Sequence, residues 1–546
     1  KGEVQGGITN YGDDPSYKIS LTAGTSFANG RGHILVSGEH AWNKGIFGAG
    51  ASRGKFWGYD TAKIIPNPDY SSTNTAVPQF LIREGVSTLL AAPGGIITSG
   101  PLRGTLFDKG GLAAGTYEYG ALTTSQFNVG GDWRLSDVTV HNQSLANHVS
   151  RQAYFGRVSY DVTDSINVYF NFIHSNSYGY ARSKLDDSLG NMTIQIDNPY
   201  LDPAIAAQMM ALGETSFRMG SFNFDIPPLQ TDNYRNLWSY AAGADGELEA
   251  FGSTWDWQVY GQYGLARSDL SGRLQIVPNF RNFALDSVRA SDGTIQCRVN
   301  ADADPTNNVA DCVAWNPFGY DQNGQDALDY VKGRAQLYQR NTQTVLTGGF
   351  SGEPFSTWAG SVSLAGGIEW RREAVSPGDI AGYCPLCLTS SYAAGNYKGT
   401  EGSYTVTEGY LETVVPLANN VEWARQLDLN AAVRATSYSS SGYVTTWKVG
   451  LTYMPTDEVR IRATRSRDIR AGNLGELYNN GGGGQSPGLL DPFRPNDPPV
   501  SFLNSTTGNP NLDPEKANTI SAGLVYQPQW LPGFSASVDF YDINIK

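Results

Sequence analysis

The chain's four cysteines and five histidines are its side chains best suited to redox or metal chemistry, and their spacing argues against both. Cys384-Pro-Leu-Cys387 has the letters of a redox dithiol. Such a pair belongs at a helix N-terminus after a strand, whereas Thr389-Ser-Ser-Tyr follows here. Cys297 and Cys312 stand in polar loop sequence, and both pairs are candidate disulfides suited to an oxidising compartment. A bridge between Cys297 and Cys312 would stabilise by roughly 3 kcal/mol in the chain-entropy model. His33, His40, His141, His148 and His174 are dispersed without zinc-like spacing. Nothing selects two carboxylates as a hydrolytic pair, and no phosphate-binding glycine loop or nucleophile elbow occurs. No catalytic residue, cofactor or metal site is therefore expected.

The elements that would have to position any chemistry are strands. In Ser165–Ile173, Ile166, Val168, Phe170 and Phe172 share one phase, while Asn167, Tyr169 and Asn171 share the other. In Leu427–Thr436, Leu427, Leu429, Ala431, Val433 and Ala435 oppose Asp428, Asn430, Ala432, Arg434 and Thr436. A period of two fixes a β-strand. Strands of about 9–11 residues with one apolar and one polar face are what a membrane-spanning barrel needs. No run of apolar residues is long enough for a spanning helix. The balance is acidic, 52 Asp+Glu against 39 Lys+Arg, which speaks against a nucleic-acid partner.

Fifteen strands are predicted near 3–11, 16–28, 32–43, 151–161, 165–178, 233–248, 254–269, 337–351, 357–373, 402–416, 425–438, 442–454, 458–470, 515–528 and 533–546. Short turns fall at 29–32, 162–164, 250–253, 352–355, 455–457 and 528–532, with 416–426 the longest on that side. Long connections fall near 44–150, 179–232, 270–336, 374–401 and 471–514, all leaving from the opposite end of an antiparallel sheet. That asymmetry is the outer-membrane pattern of short periplasmic turns and long outer loops. Within the first long connection, Thr116–Leu122 and Gln126–Trp133 are expected to be extra strands. Within the second, Asp202 as N-cap, Pro203 at the first helical position and Gly213 as stop define a helix over Ala204–Leu212.

Three segments of the C-terminal third carry a resemblance: Ala463-Thr-Arg-Ser-Arg-Asp-Ile-Arg-Ala-Gly-Asn-Leu-Gly-Glu-Leu477, Gly508-Asn-Pro-Asn-Leu-Asp-Pro-Glu-Lys516 and Leu531-Pro-Gly-Phe-Ser-Ala-Ser-Val-Asp-Phe-Tyr-Asp542. In this order they resemble TonB-dependent outer-membrane receptors of bacteria, with Gly472 where that family usually has proline. The resemblance implies a barrel of about 22 strands around an N-terminal plug, of which this chain supplies about fifteen. It also implies TonB-energised uptake of a scarce bulky ligand such as a siderophore, cobalamin or an oligosaccharide. TonB would act through a plug and TonB box expected ahead of Lys1, and about seven strands are expected after Lys546. Outer-membrane lipid and lipopolysaccharide would surround the wall.

The strand phases then assign faces. Glu369, Arg371, Arg434, Arg460 and Arg462 fall on the inward, plug-facing phase. Arg465 and Arg467 fall on the lipid phase, where the strand is expected to have left the hydrocarbon. Tyr383, Tyr392, Tyr397, Tyr478, Phe493 and Phe502 are the aromatic candidates for ligand capture in the outer loops. A passive porin-like channel and a soluble all-β carbohydrate-binding or hydrolytic protein are the other classes that this patterning admits.

Overall fold

The computed structural model describes residues 1–47, 62–71, 73–136, 143–183, 185–276, 278–381, 392, 397–481, 485–489, 493, 500–503 and 506–546. Fifteen strands form one antiparallel sheet in sequence order. They are β1 (Gly2–Gly7), β2 (Ser16–Phe27), β3 (Gly32–Asn43), β4 (His148–Thr163), β5 (Ile166–Arg182), β6 (Gln230–Ala250), β7 (Ser253–Gln275) and β8 (Lys332–Thr357). The sheet continues with β9 (Gly360–Ala381), β10 (Gly402–Val421), β11 (Ala424–Tyr438), β12 (Gly442–Thr456), β13 (Val459–Arg470), β14 (Glu515–Tyr526) and β15 (Ala536–Ile545). Each predicted strand has its counterpart, and the long connections all leave one end of the sheet. No helix among the described residues is long and apolar enough to cross a membrane.

One expected turn is instead a bulge, and another, 416–426, is shorter than expected because a bulge opens it. The segment 352–355 lies inside β8, where the register with β9 shifts between Gly352 and Phe355. Likewise Pro416 lies inside β10, where the register with β11 shifts between Pro416 and Ala418. A proline cannot donate to a ladder, so Pro354 and Pro416 interrupt pairing locally and the strands continue past them. The true turns come later, at Trp358-Ala359 and Glu422-Trp423. The β6–β7 hairpin turns through Phe251 (φ 57) and Gly252 (φ 77), the left-handed pair that a two-residue hairpin of matching twist requires.

Register places the two phases on two continuous faces. Ile34 lies opposite Val158, Val158 opposite Phe170, Phe170 opposite Ala242, and the row continues through Gly261, Leu346 and Trp370. Farther along, Leu411 faces Val433, and Leu451, Ala463, Ala522 and Phe540 carry the apolar face to β15. Arg157, Asn171, Gln262, Glu369, Glu408 and Arg434 stand on the other face. Aromatic rings border the apolar face at both ends. Phe251, Trp358, Trp423 and Trp530 are exposed at the short turns. At the far end Tyr17 stacks on Trp42 (5.6 Å), His174 on Trp238 (4.9 Å) and Tyr178 on Tyr234 (4.5 Å).

The first three long connections fold together into a cap. Strands Ile96–Ile97, Thr105–Phe107 and Ala113–Thr116 of the first join Asp187–Gln195 and Ser216–Phe222 of the second in one small sheet. The third adds Phe280, Trp315, Phe318 and Val331 to a core with Ile97, Phe107, Met192, Met209 and Met219. Each such side chain contributes about 1.5–3 kcal/mol by leaving water. Helix α1 (Pro203–Leu212) seats Ile205 and Met209 in this core, with Asp202 accepting from the Ala204 N–H and Gly213 ending it at φ 74. The expected strand over Thr116–Leu122 is absent. Gly120 takes φ 76 there, with room for no Cβ beside the Val129 carbonyl, and only Leu122–Thr123 and Phe127–Val129 pair beyond it.

Polar clips tie the three connections. Arg298 grips both oxygens of Asp197 (2.9 and 2.6 Å) and one of Asp286 (2.8 Å). Asp202 accepts from the Ala113 N–H (3.0 Å), and Asp225 accepts from the Gln322 and Asn323 N–H groups (3.2 and 3.0 Å). Cys297 and Cys312 are joined in a disulfide, and Cys384 and Cys387 lie outside the described residues.

Candidate functional site

On the polar face of β9–β11, from the level of Ile368 towards the long connections, carboxylates and guanidinium groups interleave. Glu369 and Glu408 are register partners, a like-charge pairing that would be unfavourable alone. Each is compensated: Arg371 contacts Glu369 at 3.0 Å, and Arg434 contacts Glu408 at 2.9 Å. Thr436 donates a further hydrogen bond to Glu408 (3.1 Å). Arg371 also reaches Glu373 (3.2 Å), which accepts from the Tyr404 hydroxyl (2.9 Å) and from Gln343 (3.3 Å). Arg434 lies over the Tyr410 ring, 5.0 Å from its centre. The arrangement pairs charged side chains along one face of the sheet and leaves hydrogen-bonding groups on that face.

The connection after β13 folds back onto this wall. Helix α2 (Leu474–Tyr478) is one turn closed by a capping box, with Asn473 accepting from the Glu476 N–H and Glu476 from the Asn473 N–H, each at 2.9 Å. Leu477 is buried among Tyr404, Val406, Tyr438 and Leu512. Tyr478 donates to the Ser403 carbonyl (3.0 Å), its ring so close to Gly402 that a Cβ there would lie 2.2 Å from it. Arg470 bridges Glu476 (3.0 Å) and its register partner Glu515 (2.8 Å). The Asn473 backbone N–H and then Arg470 hold the Glu476 carboxyl below its ordinary range. The returning segment closes the latch, with the Gly508 N–H on the Asn479 carbonyl (2.7 Å) and the Asn509 N–H on the Glu476 carbonyl (2.8 Å).

Residues 212–546, more than half of the chain, match the model of the "TonB dependent receptor-like, beta-barrel" family. The chain belongs to this family. No curated protein matches it. Among solved structures, it is similar to the siderophore receptor PirA from Acinetobacter baumannii at 12% identity and a TM-score of 0.48, covering 100% of this chain and 52% of that one. It is also similar to the ferric enterobactin receptor PfeA from Pseudomonas aeruginosa (13%, TM-score 0.47, 100% and 53% covered). A further likeness is to the FrpB iron transporter from Neisseria meningitidis (11%, TM-score 0.38, 100% and 54% covered). The chain thus spans about half the length of these structures.

In this receptor domain, Glu369, Arg371 and Arg434 share the charged wall. Arg462 stands on the same face farther round, bound bidentately to Asp539 on β15 (2.7 and 2.8 Å), and Arg460 is exposed beside it. Between β13 and β14 the register is unbroken from Val459 to Arg470, so Arg465 and Arg467 keep the apolar phase at the long-connection end. Of the aromatic candidates, Tyr478 belongs to the latch. Tyr392 is buried with Ala335, and Tyr397 packs beside them. Phe493 is exposed. Phe502 lies in the strand Val500–Leu503, whose side chains are outside the described residues, as is Tyr383. Sequence reasoning missed Glu373, Tyr404, Glu408 and Asp539, which meet partners on other strands, Asp539 across β14, and become visible only with the register.

Proposed function

We propose that this chain is part of the barrel of a bacterial outer-membrane receptor that imports a scarce bulky ligand, a siderophore, cobalamin or an oligosaccharide, with energy delivered through TonB. The domain reading is that residues 1–546 form most of the barrel wall, with the plug and about seven further strands supplied outside these residues. The observation that carries this reading is the division of all fifteen strands into one apolar and one polar face, in a chain of the TonB-dependent receptor family. The apolar face meets lipid, the polar wall with Glu369, Arg371, Arg434 and Arg462 faces the plug, and the cap with the latched last connection receives ligand. The test is uptake by a strain lacking the receptor, with and without TonB, on single siderophores, cobalamin and oligosaccharides. Receptor- and TonB-dependent growth on one of them is expected. Uptake that persists without TonB would make the protein a passive channel, and recovery in buffer without detergent would end the membrane assignment.

A further inference from the structure

Between the root of the cap and the latch, the polar face presents amides instead of ions. On β8 that face runs through Ala335, Leu337, Gln339, Asn341 and Gln343. Ala335 is buried with Tyr392 where the second and third connections leave the sheet, at Leu229 and Ile276. Gln343 faces Glu373, which also accepts from Tyr404, the tyrosine packed beside Leu477 of the latch. The three amides hold successive same-face positions, about 7 Å apart. They begin level with Leu265, after which Arg267 ends the apolar phase of β7, and rise toward the cap. Gln339 donates to Asn341 (3.4 Å), Gln262 to Gln343 (3.5 Å) and Gln343 to Glu373 (3.3 Å). An amide has two N–H donors and an oxygen with two lone pairs, so each keeps capacity for a ligand. Alongside, β7 presents only Gly264, Ala266 and Ser268, which leaves room next to the column.

The charge around the column is paired or negative. Arg371 is held by Glu369 and Glu373. Arg235, opposite Ser268, is the one cation on this stretch of the polar face of β5–β8 without an ion pair among the described residues. The second and third connections, 183–229 and 276–331, hold 14 Asp and Glu against 5 Lys and Arg. A polyanion would approach against the field of this cap and find no cluster of free cations to receive it. A sugar hydroxyl both donates and accepts, as an amide does, and needs no counter-charge.

Resting on the uptake reading, we propose that the cargo is a neutral, hydroxyl-rich oligosaccharide and that Gln339, Asn341 and Gln343 are the column that selects for it below the cap. The column fixes the class of cargo. Which sugar is taken is left to the connections above it.

The test uses the full-length receptor in detergent, titrated by calorimetry. The probes are short malto-, cello-, xylo- and chito-oligosaccharides, a ferric catecholate as the polyanion, and cyanocobalamin as a bulky neutral molecule poor in hydroxyls. One oligosaccharide series is expected to bind, with an affinity that changes less than about twofold between low and high salt. Gln339→Leu with Asn341→Leu should weaken that binding about tenfold or more, and leaves Gln343 on Glu373. Arg235→Gln, which removes the free cation, should bind the sugar as the native receptor does. Heat-modifiable gel mobility and an unchanged Tm show that each variant is folded, which separates a lost ligand contact from a damaged wall. Binding of the catecholate or of cyanocobalamin in place of any oligosaccharide, undiminished sugar binding by the folded Leu variant, or dependence on Arg235 overturns the proposal. Oligosaccharide binding with uptake that persists without TonB would keep the cargo class and overturn the TonB reading instead.

Discussion

Replacing Ile368 by arginine separates a lipid-facing wall from a watery one. On β7 the apolar phase runs from Trp255 to Leu265, about ten residues, which at ~3.4 Å per residue and ~45° tilt spans about 24 Å, the height of a barrel's apolar band. Ile368 pairs with Gly348, which pairs with Val259, so it stands near the middle of that span. It is 70% exposed. Were that exposure to water, Ile368→Arg would change stability by no more than about 0.5 kcal/mol. Facing the bilayer midplane, it costs about 2–4 kcal/mol, roughly thirty- to several-hundredfold in the folding equilibrium. Thr347→Arg is the control, because Thr347 stands on the polar face opposite Glu369 and its change should stay within about 1 kcal/mol. Urea unfolding of the full-length receptor in lipid vesicles measures both. A free-energy change below about 0.5 kcal/mol for Ile368→Arg would refute the assignment of the faces.

Three further perturbations test the loops. Removing the bridge with Cys297→Ala and Cys312→Ala should destabilise the third connection by about 3 kcal/mol, read as faster limited proteolysis there with barrel mobility on gels unchanged. Arg298 holds the Asp197 carboxyl below its ordinary range, so the contact stabilises the cap above that range and is lost as pH falls through the depressed value. Hydrogen exchange of the cap should therefore accelerate below about pH 4 in the native receptor, and Arg298→Met should flatten that acid limb; identical profiles would sink the idea. Gly402→Ala puts a methyl where the Tyr478 ring now lies, and should release the latch at pH 7, whereas Tyr478→Phe, which keeps the ring, should loosen it far less; cleavage within 479–508 by added protease reports the difference.

The strands were legible because alternation persists over whole elements, as in Ile166–Phe172, and one register slip would reverse every face. Helix α1 was legible because its N-cap, N1 proline and C-terminal glycine act locally. Pro354 and Pro416 misled because the same missing N–H that favours a turn is also tolerated at a bulge, and only the partner strand decides between them. The cap was illegible in a stronger sense. Ile96–Ile97 finds its sheet neighbour in Met219 and Gly220, and no local pattern announces a pairing across more than a hundred positions. Glu369 and Arg371 could be placed together since they share one strand face two residues apart, whereas the Arg434–Glu408 and Arg462–Asp539 contacts needed the register.

The segments that carry the family resemblance are saturated by contacts with each other. Asn473 and Glu476 cap one another, Glu476 and Glu515 share Arg470, Asn509 and Gly508 return to Glu476 and Asn479, and Leu512 packs on Leu477. Gly472 fits the same account, because a Cβ there would press on Leu477 and Leu512 at 3.1 and 3.2 Å. These residues have little hydrogen-bonding capacity left for a ligand. What they do is hold both roots of the connection against Tyr404 and Val406, beside the Glu373–Arg371–Glu369 wall. On the proposed reading, ligand choice then falls to the residues between those roots and to the cap, while the recognisable motif fixes where they stand. Substitutions at Asn473 or Glu476 should therefore weaken uptake of every ligand alike, and exchange of the residues between 480 and 507 should change which ligand is taken.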